Sequence, residues 1–76
     1  MEDLLEYLAK GLVDDPQAVS VESFEEDDAL VLELRVADDD TGKVIGRSGR
    51  TVSALRAVMR ACGAKRGRRV LVDVID

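Results

Sequence analysis

The sequence predicts a small α+β domain, a three-stranded mixed sheet with helices packed on one face, in the order αββααβ. Three observations predict it. An apolar stripe with steps of three and four residues opens the chain, and two stretches of alternating polarity follow. A second stretch of helical period, entered through a pair of glycines, then leads to a third alternating stretch. At 76 residues there is room for one core, so residues 1 to 76 are read as a single domain. That core must be aliphatic, because 46% of the residues are apolar yet only Tyr7 and Phe24 are aromatic.

Leu4, Leu5, Leu8, Leu12 and Val13 draw one stripe on a helix over residues 2 to 13, with Glu2 and Asp3 set against its N-terminal dipole. Gly11 and then Asp14-Asp15-Pro16 stop it, since proline disfavours helical geometry in the residue before it. Val19 and Val21 alternate with Ser20 and Glu22 in a first strand. Leu30, Leu32, Leu34 and Val36 alternate with Val31, Glu33 and Arg35 in a second. The polar Glu25-Glu26-Asp27-Asp28 between them reads as the tip of an antiparallel hairpin.

Asp38-Asp39-Asp40 offers N-cap and first-turn acids to a short helix through Lys43, Val44 and Ile45, which Gly46 ends. After Gly49 a main helix turns Val52, Leu55, Val58, Met59 and Cys62 inward and closes at Gly67. Val70, Val72 and Val74 then form the last strand. Two helices join the second and third strands, the long crossover a parallel pair needs, which places the second strand centrally.

Composition removes several function classes. There is no histidine, the commonest general base and metal ligand, so the chain is not read as an enzyme. Cys62 is the single cysteine, which leaves no intrachain disulfide or cysteine metal cluster and fits a reducing cytoplasm. Met1-Glu2-Asp3 is acidic where a signal peptide would be basic, and no apolar run reaches the length of a membrane span. Asp38 to Gly42 has the acids of a calcium loop, but Lys43 stands where that loop needs glycine and Gly49 where it needs an acid. Neither a phosphate-binding loop nor a dinucleotide fingerprint is present, so no cofactor is expected.

Charge is segregated along the chain despite a net value of −5: residues 1 to 40 hold 14 acids and two bases, residues 41 to 72 nine bases and no acid. A basic half focused on one surface binds phosphate while the acidic half faces away.

The basic half contains Val44-Ile45-Gly46-Arg47-Ser48-Gly49-Arg50-Thr51-Val52, with two glycines three apart between two helices. Glycine takes positive φ and lets another backbone approach, so such a turn lies directly against a sugar-phosphate chain. The following helix presents its free N–H groups and positive dipole end there, and Arg47 and Arg50 add full charges.

The G-x-x-G between two helices of an αββααβ order resembles the type II KH domain of bacteria, and the resemblance covers the whole chain. Its short length, the G-K-V-I-G-R-S-G-R-T core and the closing V-L-V-D-V-I-D resemble the KhpA family of small single-KH RNA-binding proteins. The resemblance implies a groove for about four nucleotides. It implies that Gly46, Arg47, Ser48 and Gly49 clamp the RNA backbone, with Ile45 beside them, Val52 supporting the turn, and Lys43 and Arg50 as flanking contacts. The other groove wall is expected from residues such as Leu34, Arg35 and Val36.

The function expected is non-catalytic binding of short single-stranded RNA, as an RNA chaperone or post-transcriptional regulator. One such groove binds weakly, so a homodimer, or a complex with a larger KH-containing RNA-binding protein, is expected to raise effective concentration. The alternative is a KH-fold module for protein contact. Arg56 and Arg60 are read either as an extension of the RNA path or as solvated positions. The Lys65-Arg66-Gly67-Arg68-Arg69 run is read either as a second patch or as a complement to a helix C-terminus.

Overall fold

The computed structural model describes residues 1 to 75. Its elements are α1 (Glu2–Lys10), β1 (Ser20–Glu26), β2 (Ala29–Arg35), α2 (Thr41–Ile45), α3 (Arg50–Lys65) and β3 (Arg69–Ile75), with 3-10 turns at Pro16–Ala18, Asp38–Asp40 and Arg47–Gly49. The αββααβ order expected from the sequence is the order observed. The sheet runs β1-β2-β3, with β1 antiparallel and β3 parallel to the central β2.

The hairpin turn is tighter than the four polar residues suggest. Strand pairing continues to Glu26 opposite Ala29, leaving Asp27 and Asp28 as a two-residue loop with φ of 50° and 65°. Two consecutive left-handed residues give a turn whose twist matches that of the strands, and aspartate tolerates this conformation better than most residues do.

Alternation sorts each strand between two faces. Leu32, Leu34, Val70 and Val72 are buried in one core with Leu5 and Ala9 of α1, Val44 of α2, and Leu55 and Met59 of α3. Burying Leu32 or Leu34 fully, as here, contributes about 1.5–3 kcal/mol each. On the opposite face the register aligns Phe24, Val31 and Leu71 in one row and Glu22, Glu33 and Asp73 in the next.

Three sequence readings need correction. Helix α1 ends at Lys10 rather than reaching Val13, and Leu12 is exposed beyond it. Within α3 it is Val52, Leu55, Met59 and Gly63 that are buried, whereas Val58 is exposed and Cys62 half-buried. The inward stripe follows the side of α3 that rests on β3. A Cβ on Gly63 would lie 2.5 Å from Val70 Cγ2 and 2.7 Å from the Arg68 carbonyl oxygen, so the missing side chain sets how closely the helix approaches the strand.

The third correction concerns Asp40. Its carboxylate does not cap α2; it accepts hydrogen bonds from the backbone N–H groups of Asp14 (3.2 Å) and Asp15 (3.0 Å). This buried side chain therefore ties the segment after α1 to the start of α2. Burial is the largest influence on its pKa and acts upward, but the N–H groups of Asp15 and Asp14 and the Lys43 ammonium outweigh it and hold the carboxyl below the ordinary range. Among the described residues, no helix is long and apolar enough to cross a membrane.

Candidate nucleic-acid interface

The turn between α2 and α3 is built from residues in the left-handed half of conformational space. Gly46 has φ of 77° and ψ of 172°, a region open essentially to glycine alone. A Cβ there would also stand 2.2 Å from Thr51 Oγ1, so Gly46 is required twice over. Ser48 (φ 57°, ψ 26°) and Gly49 (φ 73°, ψ 15°) follow in the αL region. Nothing lies within 4 Å of the position a Gly49 Cβ would take, so the turn is bare on that side and open to an incoming chain.

This bare turn is the N-terminal junction of the 16-residue α3, and no side chain caps it. The positive end of the helix dipole therefore faces solvent beside Arg47 and Arg50. Both arginines are exposed, and neither pairs with an acid among the described residues. A flexible anion with regularly spaced charges, laid against the turn, meets donors and charge without displacing a side chain.

The other residues expected at the site have different surroundings. Ile45 is half-buried at the end of α2, adjacent to Gly46. Val52 is buried beneath the turn. The Lys43 ammonium is held by Asp14 (3.0 Å) and Asp40 (3.5 Å), and pairing with Asp14, then with Asp40, raises its pKa. It is a member of the network that anchors α2, in contrast to the unpaired Arg47 and Arg50.

The expected groove wall of Leu34, Arg35 and Val36 is also corrected. Leu34 is fully buried, Arg35 lies within 3.7 Å of both Glu22 and Glu33, and β2 has a strand on either side. Of the two edge strands, β1 and β3, it is β3 that α3 reaches: Arg56 Nε donates to the Val72 carbonyl oxygen at 3.1 Å. The surface beside the turn thus continues along α3 to the edge of β3. Sequence reasoning left both roles for Arg56 open, because the choice depends on which edge of the sheet α3 docks against.

Basic residues at the far end of α3 are placed differently. The helix closes with Arg68 N–H on the Gly63 carbonyl (2.8 Å) and Gly67 N–H on the Ala64 carbonyl (3.1 Å), the paired bonds of a Schellman motif. Register puts Arg69 opposite Ala29 at the base of the acidic hairpin, and Arg68 pairs with Glu25 at 2.8 Å. The segregation of charge along the chain is therefore not preserved in space, since acid and base meet at this end. Two surface depressions lie elsewhere, one around Tyr7, Leu8, Lys10 and Leu12, another lined by Leu8, Leu12, Thr51, Ala54, Leu55 and Val58. The second is almost wholly apolar, and in the first the one cation, Lys10, pairs with Glu6 at 3.0 Å, so chemistry rather than concavity points to the turn.

Comparison with known proteins agrees with this geometry. The family profile of the KhpA/KhpB KH domain matches residues 2–74. RNA-binding protein KhpA of Streptomyces coelicolor is 53% identical over 76 residues, covering 100% of this chain and 92% of the relative. The protein of the same name from Halalkalibacterium halodurans is 47% identical over 76 residues, the full length of both. That from Clostridium acetobutylicum is 45% identical over 75 residues, covering 99% of this chain and 100% of the relative. A match over nearly every residue, with the two turn glycines and the αββααβ order in place, leaves one conclusion: the chain belongs to the KhpA/KhpB family of KH domains.

Proposed function

We propose that this chain is a non-catalytic RNA-binding domain that clamps the backbone of a short single-stranded segment at Gly46, Arg47, Ser48 and Gly49. The observation that carries the reading is the bare, left-handed turn at the uncapped N-terminus of α3, flanked by two unpaired arginines. Ile45 borders the clamp and Arg50 extends its charge along the first turn of α3. Lys43 reaches a phosphate only by giving up its ion pair with Asp14, so its contribution is smaller than theirs.

Backbone contacts alone give affinity with little sequence preference, which suits an RNA chaperone or post-transcriptional regulator acting in the cytoplasm. Pairing with a second copy, or with a larger KH-containing RNA-binding protein, raises effective concentration and offsets the weakness of one site.

The test is fluorescence anisotropy of a labelled unstructured RNA against the wild type and an Arg47→Asp/Ser48→Asp variant at several salt concentrations, with circular dichroism as the folding check. The expected result is binding by the wild type, with a log–log salt slope of about −0.7 per phosphate contacted, and none by the folded variant. Equal binding by both, or by neither, overturns the reading in favour of a KH fold used for protein contact.

A further inference from the structure

We propose that Asp14 restrains RNA binding by holding the Lys43 ammonium back from the phosphate chain, so that removing this one carboxylate tightens the complex; this rests on the reading of the adjacent turn as an RNA clamp. Residues 41 to 72 contain no acid, so nothing local neutralises the cations around the turn. Arg47 and Arg50 are accordingly unpaired among the described residues. Lys43 differs from them, because the fold brings two acids to it from outside that segment, Asp14 and Asp40.

The position of Lys43 suits a phosphate contact. The Gly46 N–H donates to the Gly42 carbonyl at 2.8 Å, so α2 keeps its helical course up to the first glycine of the turn. Lys43 lies three residues before Gly46, on the same side of the helix and about 4.5 Å of rise away. A flexible four-carbon stem spans that rise, so an ammonium released from its pair reaches a phosphate laid on the turn.

Asp14 is placed to prevent the release. Its carboxylate lies 3.0 Å from Lys43 Nζ, closer than that of Asp40 at 3.5 Å. Its backbone is anchored from behind, since the Asp14 N–H donates to the buried Asp40 carboxylate. The Asp14 side chain itself is 82% exposed, and Lys43 is its one ion-pair partner among the described residues. Removing its charge therefore leaves the core and the Asp40 anchor in place. An exposed pair of this kind is weak, so it adds little to the fold. A phosphate that takes Lys43 must nonetheless displace Asp14, and the freed carboxylate then stands beside it as a like charge. Both effects lower affinity at the clamp without shaping it.

The test is a double-mutant cycle read by anisotropy of a labelled unstructured RNA at several salt concentrations, with circular dichroism as the folding check. Asp14→Asn keeps the size of the side chain and the N–H that bonds Asp40, and removes only the charge. It should bind RNA about threefold more tightly than the wild type, the change an exposed ion pair carries, and steepen the log–log salt slope by about 0.7 as Lys43 takes one phosphate. Asp15→Asn removes the neighbouring exposed carboxylate, which has no ion pair among the described residues, and measures the general effect of losing a negative charge. Its gain should be smaller. In a Lys43→Met background, Asp14→Asn should gain no more than Asp15→Asn does in the same background.

The Arg47→Asp/Ser48→Asp variant, run alongside, separates the two ways of failing. If that variant loses RNA while Asp14→Asn binds no more tightly than Asp15→Asn, or while the gain from Asp14→Asn survives in the Lys43→Met background, the restraint is overturned and the clamp stands. If the wild type binds no RNA, or the Arg47→Asp/Ser48→Asp variant binds as the wild type does, the clamp reading falls and the Asp14 assignment with it.

Discussion

The two ends of α3 carry comparable basic residues and a left-handed glycine each, yet the fold puts them to different uses. At the N-terminal end, Arg47 and Arg50 stand unpaired beside an uncapped helix start and a backbone without side-chain cover. At the C-terminal end the same helix is closed by a Schellman motif, and Arg68 is neutralised by Glu25 of the hairpin. Positive charge gathers an anion only where the structure leaves it unpaired and where donors of the backbone point the same way. A count of lysines and arginines ranks the second end above the first, and the structure reverses that order.

The largest effect should come from breaking this asymmetry directly. Arg47→Asp/Ser48→Asp is expected to weaken RNA binding about 100-fold or more, whereas Lys65→Ala/Arg66→Ala should cost about threefold or less, measured by anisotropy at one salt concentration. Similar losses from both would mean that charge alone, not the turn, governs binding.

Next in size is a contrast between two glycines. Gly63→Ala forces a methyl group against Val70 and the Arg68 carbonyl, and should destabilise the fold by about 2 kcal/mol even after the gain in helix propensity. Gly49→Ala meets no neighbour and should cost only the left-handed strain, about 1 kcal/mol. Urea denaturation of the two variants gives the comparison. Equal costs would imply that α3 shifts readily away from β3.

The Asp40 network should show itself in acid. Because the carboxyl titrates lower in the folded protein than in the unfolded chain, its contribution is complete above the ordinary carboxylate pKa and is lost as pH falls through the folded value. Asp40→Asn should therefore lower the melting temperature by several degrees at neutral pH and flatten the acid limb of the stability curve. A parallel downward shift at all pH values would remove the titration from the account.

The smallest effect is expected at Arg68. Its pair with Glu25 is exposed and screened by solvent and salt, so Arg68→Ala should change stability by no more than about 0.5 kcal/mol and leave RNA affinity within twofold. A larger loss of affinity would restore the basic run as a second patch.

Much of this molecule could be read from local pattern. The alternation of Leu30, Leu32 and Leu34 and of Val70, Val72 and Val74 locates two strands, and the glycine pair at 46 and 49 marks the turn before its dihedral angles are known. Misreadings arose where a residue's partner is distant in sequence. Asp40, 25 and 26 residues from the N–H groups it accepts, looked like the cap of its own helix. Val58 fits the helical stripe as well as Gly63 does, but the direction from which β3 approaches decides which of them is buried.

What the sequence by itself determined are those properties that depend on neighbours a few residues apart: element type, order, the hairpin, and a glycine turn leading into a basic helix. Backbone sterics and the 3.6- and two-residue periods act at that range, so they are visible without a fold. Tertiary structure alone decided which edge of the sheet α3 docks against, which charges remain unpaired, and that Arg56 reaches the Val72 carbonyl 16 residues away. Each of these is settled by the docking of helices on the sheet, where a pairing between distant residues either removes a charge from use or leaves it available to a ligand.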